Sequence, residues 1–154
     1  MDCTGVVAQA PSRFKHTIPR AVLRSETSST WGHSSTFDEL AERYIDLWNE
    51  TDPASRRRGV DELWSEDSRY VDPMVDAEGR EAIDQTIGAV QDQFPGFVFR
   101  LAGPVDAHHN QGRFTWELGP AGDEAPIAGF DVAVTDAEGR LQTVLGFLDK
   151  VPAG

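Results

Sequence analysis

Two aspartates and a tyrosine carry the clearest chemical signals. Asp72 stands in Tyr70-Val71-Asp72-Pro73. A residue before proline is held extended, so this carboxylate projects from a fixed strand end. Tyr70 and Asp72 alternate onto one face. A carboxylate facing an apolar interior becomes a competent proton acceptor; the plainer reading of Asp-Pro is a turn. Asp131 lies inside the β-run Ile127–Val134, where an unpaired charge is costly. Its face is Gly129, Asp131 and Ala133, which leaves room above the carboxylate as a pocket floor would; an exposed strand face that tolerates Asp is the other reading. Tyr44 lies on an apolar helical stripe, either as core or as a buried phenol in need of a hydrogen-bond partner.

The elements that position these residues follow from periodicity. Thr36-Phe37-Asp38-Glu39 forms a capping box. Phe37, Leu40, Tyr44, Leu47 and Trp48 then recur at helical spacing up to Asn49. Asp52-Pro53 opens a second helix with Val60, Leu63 and Trp64 on one side. Ser65-Glu66-Asp67 reads as a turn and 68–72 as a short strand ended by Pro73. A third helix is predicted from about Gly79 to Phe94. Strands follow at 97–102, 105–109, 113–118, 127–134 and 141–148, with hairpin turns at Asn110-Gln111-Gly112 and at 136–139. Three helices before a meander define an α+β domain, the helices packed on one face of a curved antiparallel sheet.

Composition bounds the function. The chain has 154 residues and one cysteine, Cys3, which excludes an internal disulfide and a cysteine-based zinc site. Formal charge is −12; residues 1–35 carry four basic and two acidic residues, so the rest of the chain is more acidic still. An acidic body repels phosphate backbones and anionic membrane surfaces, so neither nucleic acid nor membrane is an expected partner. No apolar run approaches the 18 residues of a membrane span. Residues 1–35 are Ser/Thr-rich without sustained period and read as a disordered extension, a composition that also fits a transit peptide; 36–154 form the domain. With no signal peptide recognised, the default expectation is a cytoplasmic protein.

Other signals are weaker. His108 and His109 are adjacent on a strand and so face opposite sides, which prevents joint metal chelation; one of them can line a pocket. Arg56-Arg57-Arg58 reads as a solvated face. No metal site, phosphate loop or nucleophile elbow is recognisable.

The ordered set of Arg43-Tyr44-Ile45-Asp46-Leu47, Tyr70-Val71-Asp72-Pro73, Gly79-Arg80-Glu81-Ala82-Ile83, the stretch 103–110 and Phe130-Asp131-Val132 resembles the ketosteroid isomerases. More broadly, it resembles the nuclear transport factor 2-like superfamily with its SnoaL-like polyketide cyclases, over about residues 37–150. The resemblance implies a cystatin-like cone with a deep apolar pocket, commonly paired as a homodimer through the outer sheet face. It implies a cofactor-free enzyme acting on a small hydrophobic carbonyl compound, an isomerase or a polyketide cyclase. Asp72 falls at the general base, Tyr44 at the oxyanion-hole tyrosine, and Asp131 at a second donor kept protonated by its apolar site. Trp48, Tyr70, Met74, His109, Trp116 and Phe147 are then candidates for lining the substrate site.

This chain departs from the isomerases in holding Trp64 and Ile87 nearest the additional pocket tyrosines, and Leu148 in place of a tryptophan. The superfamily also implies two alternatives. One is a non-catalytic module that binds a hydrophobic ligand or assists assembly. The other is an epoxide hydrolase, whose Asp–Arg–Asp set would draw on Arg100 or Arg113.

Overall fold

The structure is a computed structural model and describes residues 36–152. The expectations for residues 1–35, Cys3 included, lie outside the described residues.

Helix α1 covers residues 36–49. Its apolar stripe buries Phe37, Leu40, Ala41, Tyr44, Ile45, Leu47 and Trp48. Helix α2 runs Pro53–Leu63, capped by Asp52, whose side chain accepts from the Ser55 N–H. Helix α3 runs Arg80–Gln93 and buries Ile83 and Ile87 one turn apart. Arg56 joins α2 to α3: its Nε lies 2.9 Å from Asp84 Oδ1 and its Nη1 3.0 Å from Gln91 Oε1. The expectation of a solvated basic face therefore fails for Arg56. Gly88 makes room for it, since a Cβ there would stand 3.0 Å from Arg56 Nη2.

Among the described residues seven strands form one sheet: β1 Trp64–Asp72, β2 Val75–Glu78, β3 Phe97–Leu101, β4 Asp106–His108, β5 Gln111–Pro120, β6 Ile127–Thr135 and β7 Leu141–Lys150. Their order is β2-β1-β7-β6-β5-β3, with β4 also on β5. Helices α1 and α2 precede the sheet, α3 follows β2, and the helices pack against a curved, unclosed sheet.

Three features differ from the sequence-based expectation. The sheet is mixed, because β1 pairs with β7 in parallel, Tyr70 opposite Val144 and Val71 opposite Leu145. Residues 65–67 belong to β1, which absorbs them as a register shift between Trp64 and Arg69. Beyond Pro73 the chain doubles back as β2, with Asp72 opposite Val75. Trp64 and Ile87 are completely buried in the core and do not line the cavity described next.

Candidate active site

A cavity of about 230 Å³ opens between α1, α3 and the concave side of the sheet. Its walls are apolar and aromatic, among them Trp48, Phe94, Phe99 and Trp116, and two carboxylates break them, Asp72 and Asp131. Their closeness follows from strand order. β7 separates β1 from β6; Val71 pairs with Leu145, and Asp131 with Gly146. Asp72, Gly146 and Asp131 therefore lie side by side across three strands.

The β1–β2 turn fixes Asp72. Its Oδ1 accepts the backbone N–H of Met74 at 2.8 Å and of Val75 at 3.0 Å, and its Oδ2 accepts the Tyr70 hydroxyl at 2.8 Å. The carboxylate that shapes the turn also reaches the cavity. One lone pair of Oδ2 is left for a ligand.

Asp131 is 2% exposed. Its Oδ2 accepts the Tyr44 hydroxyl at 2.8 Å and its Oδ1 the Trp116 indole N–H at 3.0 Å. Gly129 allows the second bond, since a Cβ there would meet the Trp116 ring at 2.6 Å. The Trp116 indole fills the space above Gly129, while Asp131 itself borders the cavity, as a pocket floor would. Burial pushes the Asp131 carboxyl up to about 6; the Tyr44 and Trp116 hydrogen bonds restrain the rise, and the Asp72 charge adds to it. Burial, then the Asp131 charge, pushes the Tyr44 phenol well above its ordinary range. Tyr70 is raised as well, by burial and then by the charges of Asp131 and Asp72.

Of the substrate-lining candidates, Trp48, Tyr70 and Trp116 line the cavity as buried side chains, and Met74 stands at its rim, 73% exposed. Phe147 borders the cavity, but it alternates with the inward Gly146 and its ring stacks on Phe130 at 4.9 Å, on the other face of the sheet. His109 is not part of the site. It enters the two-residue turn between β4 and β5 with φ 53, as such hairpins require, and is exposed. The same turn breaks the strand alternation, so the two histidines do not face opposite sides: their Nδ1 atoms lie 3.1 Å apart. Among the described residues no group of three or more His, Cys, Asp or Glu is arranged to hold a metal ion.

Gly146 has no sequence signal of its own, yet the site depends on it. A Cβ there would stand 2.9 Å from Asp131 Oδ1, 3.3 Å from Asp72 Cβ and 3.5 Å from the Tyr70 hydroxyl. Asp131 cannot withdraw without losing Tyr44 or Trp116. Gly146→Ala is therefore expected to destabilise by about 1–3 kcal/mol, as overpacking does, measured by urea unfolding. A change within about 0.5 kcal/mol would show that the carboxylate moves aside freely.

The curved sheet on three helices, with a cavity inside the curve, is the nuclear transport factor 2-like α+β cone. Within that class the chain belongs to the family of the SnoaL-like domain, which it matches over residues 41–143. It is similar in structure to a protein of Agrobacterium tumefaciens named as a proposed isomerase of the SnoaL-like family: identity 40%, 75% of this chain and 98% of that one covered, TM-score 0.72. A proposed ketosteroid isomerase of Kribbella flavida shares the fold at 19% identity, with 79% and 83% covered and TM-score 0.58. A proposed polyketide cyclase of Sinorhizobium meliloti does so at 12%, with 72% and 97% covered and TM-score 0.57. No curated protein matches the sequence. No described helix is long and apolar enough to cross a membrane.

Proposed function

We propose that this protein is a small enzyme that moves a proton at the carbon beside a carbonyl group of an apolar substrate, as an isomerase or a cyclase. The observation that carries this reading is the pair of unlike carboxylates in one apolar cavity. Asp72 accepts three hydrogen bonds near the mouth. Asp131 is enclosed, and burial pushes its carboxyl up to about 6. The isomerase named for the 40% identical Agrobacterium protein supports the same direction.

In this mechanism Asp72 Oδ2 takes the proton from carbon, and the carbonyl oxygen becomes an enolate oxygen. Tyr44 donates its hydroxyl to that oxygen. Asp131, protonated, donates through Oδ2 to the Tyr44 oxygen. The two donors act in series, with Asp131 behind Tyr44, because Asp131 Oδ1 is committed to Trp116. This differs from the side-by-side donors that the resemblance implied. Returning the proton from Asp72 to a different carbon completes an isomerisation. Attack of the enolate carbon on an electrophilic carbon of the same molecule completes a cyclisation. Preorganised donors aimed at the developing charge supply most of the acceleration in such reactions.

The hydrolytic alternative lacks its arginine: Arg100 is bonded to Glu117 and to the Asp123 carbonyl, Arg113 to Asp106, and neither lines the cavity. The test is conversion of an apolar β,γ-unsaturated cyclic ketone to its conjugated isomer, followed by absorbance. Acceleration over buffer supports the reading. Its absence across several such ketones overturns it and leaves the binding-module alternative.

The proposal includes a homodimer. On the sheet face opposite Asp131, the Phe130–Phe147 stack lies beside Leu145, with Phe147 49% exposed. A second copy can cover this aromatic patch. Light scattering is expected to give twice 16.9 kDa; a monomer at micromolar concentration overturns it.

A further inference from the structure

Four buried polar side-chain atoms among the described residues have no hydrogen-bond partner: Trp48 Nε1, Trp64 Nε1, Ser65 Oγ and Ser68 Oγ. Three of them belong to the irregular stretch of β1. Trp48 Nε1 is different, because its residue lines the cavity and is 5% exposed. A buried donor without an acceptor costs free energy and calls for an explanation.

The ring holding that N–H is fixed in place. It lies 6.2 Å from Tyr44, 5.4 Å from Tyr70 and 5.3 Å from Phe99, between ring centroids. The main-chain carbonyl of Trp48 accepts from Gln91 Nε2 at 3.0 Å. The next residue, Asn49, exchanges two hydrogen bonds with the backbone of Phe99. The indole N–H stands close enough to the Tyr44 phenol oxygen to oppose the rise of its pKa, yet it makes no hydrogen bond of full geometry. Tyr44 gives its one proton to Asp131, which leaves its oxygen with lone pairs to fill.

We propose that Trp48 is a positioning residue for Tyr44: its idle N–H is held for the phenol oxygen and engages it when Tyr44 turns its proton from Asp131 to the oxygen of a ligand. This rests on the reading of Tyr44 as the donor to a substrate oxygen. In the engaged state Asp131 has taken up one proton from solvent at Oδ2, and the Tyr44 oxygen gives one hydrogen bond, to the ligand, and accepts two, from the Asp131 carboxyl and from Trp48. The orphan donor is then explained as a group whose partner becomes available only with ligand bound.

The test uses 2-naphthol as the oxygen-bearing probe and naphthalene as its oxygen-free control. Their affinities are measured on the wild type, Trp48→Phe, Tyr44→Phe and the double variant. Trp48→Phe keeps an aromatic ring and removes the N–H. It is expected to weaken 2-naphthol by about three- to tenfold more than it weakens naphthalene, the worth of one hydrogen bond, with a cooperative melting transition retained. In the Tyr44→Phe background the same change is expected to add nothing, because the effect passes through the phenol.

Unchanged 2-naphthol affinity in Trp48→Phe, with a loss in Tyr44→Phe, overturns the inference and leaves the proposed function standing. No loss in Tyr44→Phe overturns both. An equal loss in the two backgrounds overturns the inference in favour of direct ligand contact. Joint loss of naphthalene binding and stability assigns Trp48 to structure alone and overturns it too. A measurement on the unaltered protein stands apart from these variants: the Trp48 indole proton resonance should move downfield with 2-naphthol and not with naphthalene. A resonance that responds to neither overturns the inference.

Discussion

Asp72→Asn is expected to lower kcat/KM for β,γ-enone isomerisation by about 10²–10⁴-fold, the usual worth of a general base. The fold should survive, because the substitution keeps the turn. An amide oxygen accepts the Met74 and Val75 N–H groups as Oδ1 does. The amide nitrogen can donate to the Tyr70 oxygen where Oδ2 accepted its proton. Only the capacity to take a proton is removed, and stability should stay within about 0.5 kcal/mol of the wild type. Asp72→Ala is the informative contrast: it leaves two turn N–H groups without their acceptor, so it loses stability as well as rate. Retention of more than a tenth of the wild-type rate in Asp72→Asn, with a normal melting curve, would place the base elsewhere.

Asp131→Asn is expected to raise the melting temperature at pH 8 and to flatten its dependence on pH between 4 and 7. In the folded protein the Asp131 carboxyl is pushed up to about 6 from its ordinary 3.8. A carboxyl raised on folding contributes stability that is fully present below the unfolded pKa and is lost as pH rises through the folded one. Two units at about 1.4 kcal/mol each make this loss about 3 kcal/mol between pH 4 and pH 7. The other shifted carboxyls act elsewhere. Asp52 is lowered by the Ser55 N–H at its helix cap, and Asp76 by the Arg69 guanidinium. Their contributions are present above pH 4 and lost below it, outside the window.

The amide substitutes well at this position. Its oxygen accepts from Trp116 and its nitrogen donates to the Tyr44 oxygen, so no buried group is stranded, and the Tyr44 proton turns to the cavity. Recovering even half of 3 kcal/mol corresponds to several degrees in a domain of this size. A variant less stable than the wild type at pH 8 would mean that the two hydrogen bonds to the carboxylate outweigh its burial.

Much of the fold was legible because long periodic segments say what they are. The stripe of α1, the Asp52-Pro53 cap and the runs at 127–134 and 141–148 all became the predicted elements. The parallel pairing of β1 with β7 was not legible, since strands so far apart in the chain carry no local mark of their pairing. β2 is four residues long with two acids, too short for alternation to register.

The site divides in the same way. Tyr44, Asp72 and Asp131 stand out as polar residues where apolar ones are expected, and the structure brings them to one cavity. Gly146 carries no such mark, because a strand glycine has meaning only once its neighbours on both sides are known. His109 left the cavity through parity, because a positive φ ended the strand alternation there, while Phe147 borders the cavity only from the outward side that the register of β7 gives it. Trp48 was read as a wall, and only the unmatched N–H distinguishes it.

The parallel seam has a consequence for how the molecule comes into being. Asp72 lies on the first strand in chain order and Asp131 on the sixth, yet the seventh lies between them. Until β7 inserts, the two carboxylates belong to separate edges and no cavity floor joins them. Closing a contact of that sequence separation is slow, because the loop entropy precedes any gain from pairing. The pairing of the two acids is thus absent from every partly folded form that lacks β7. Any property that depends on both carboxylates together reports the completed fold rather than any portion of it.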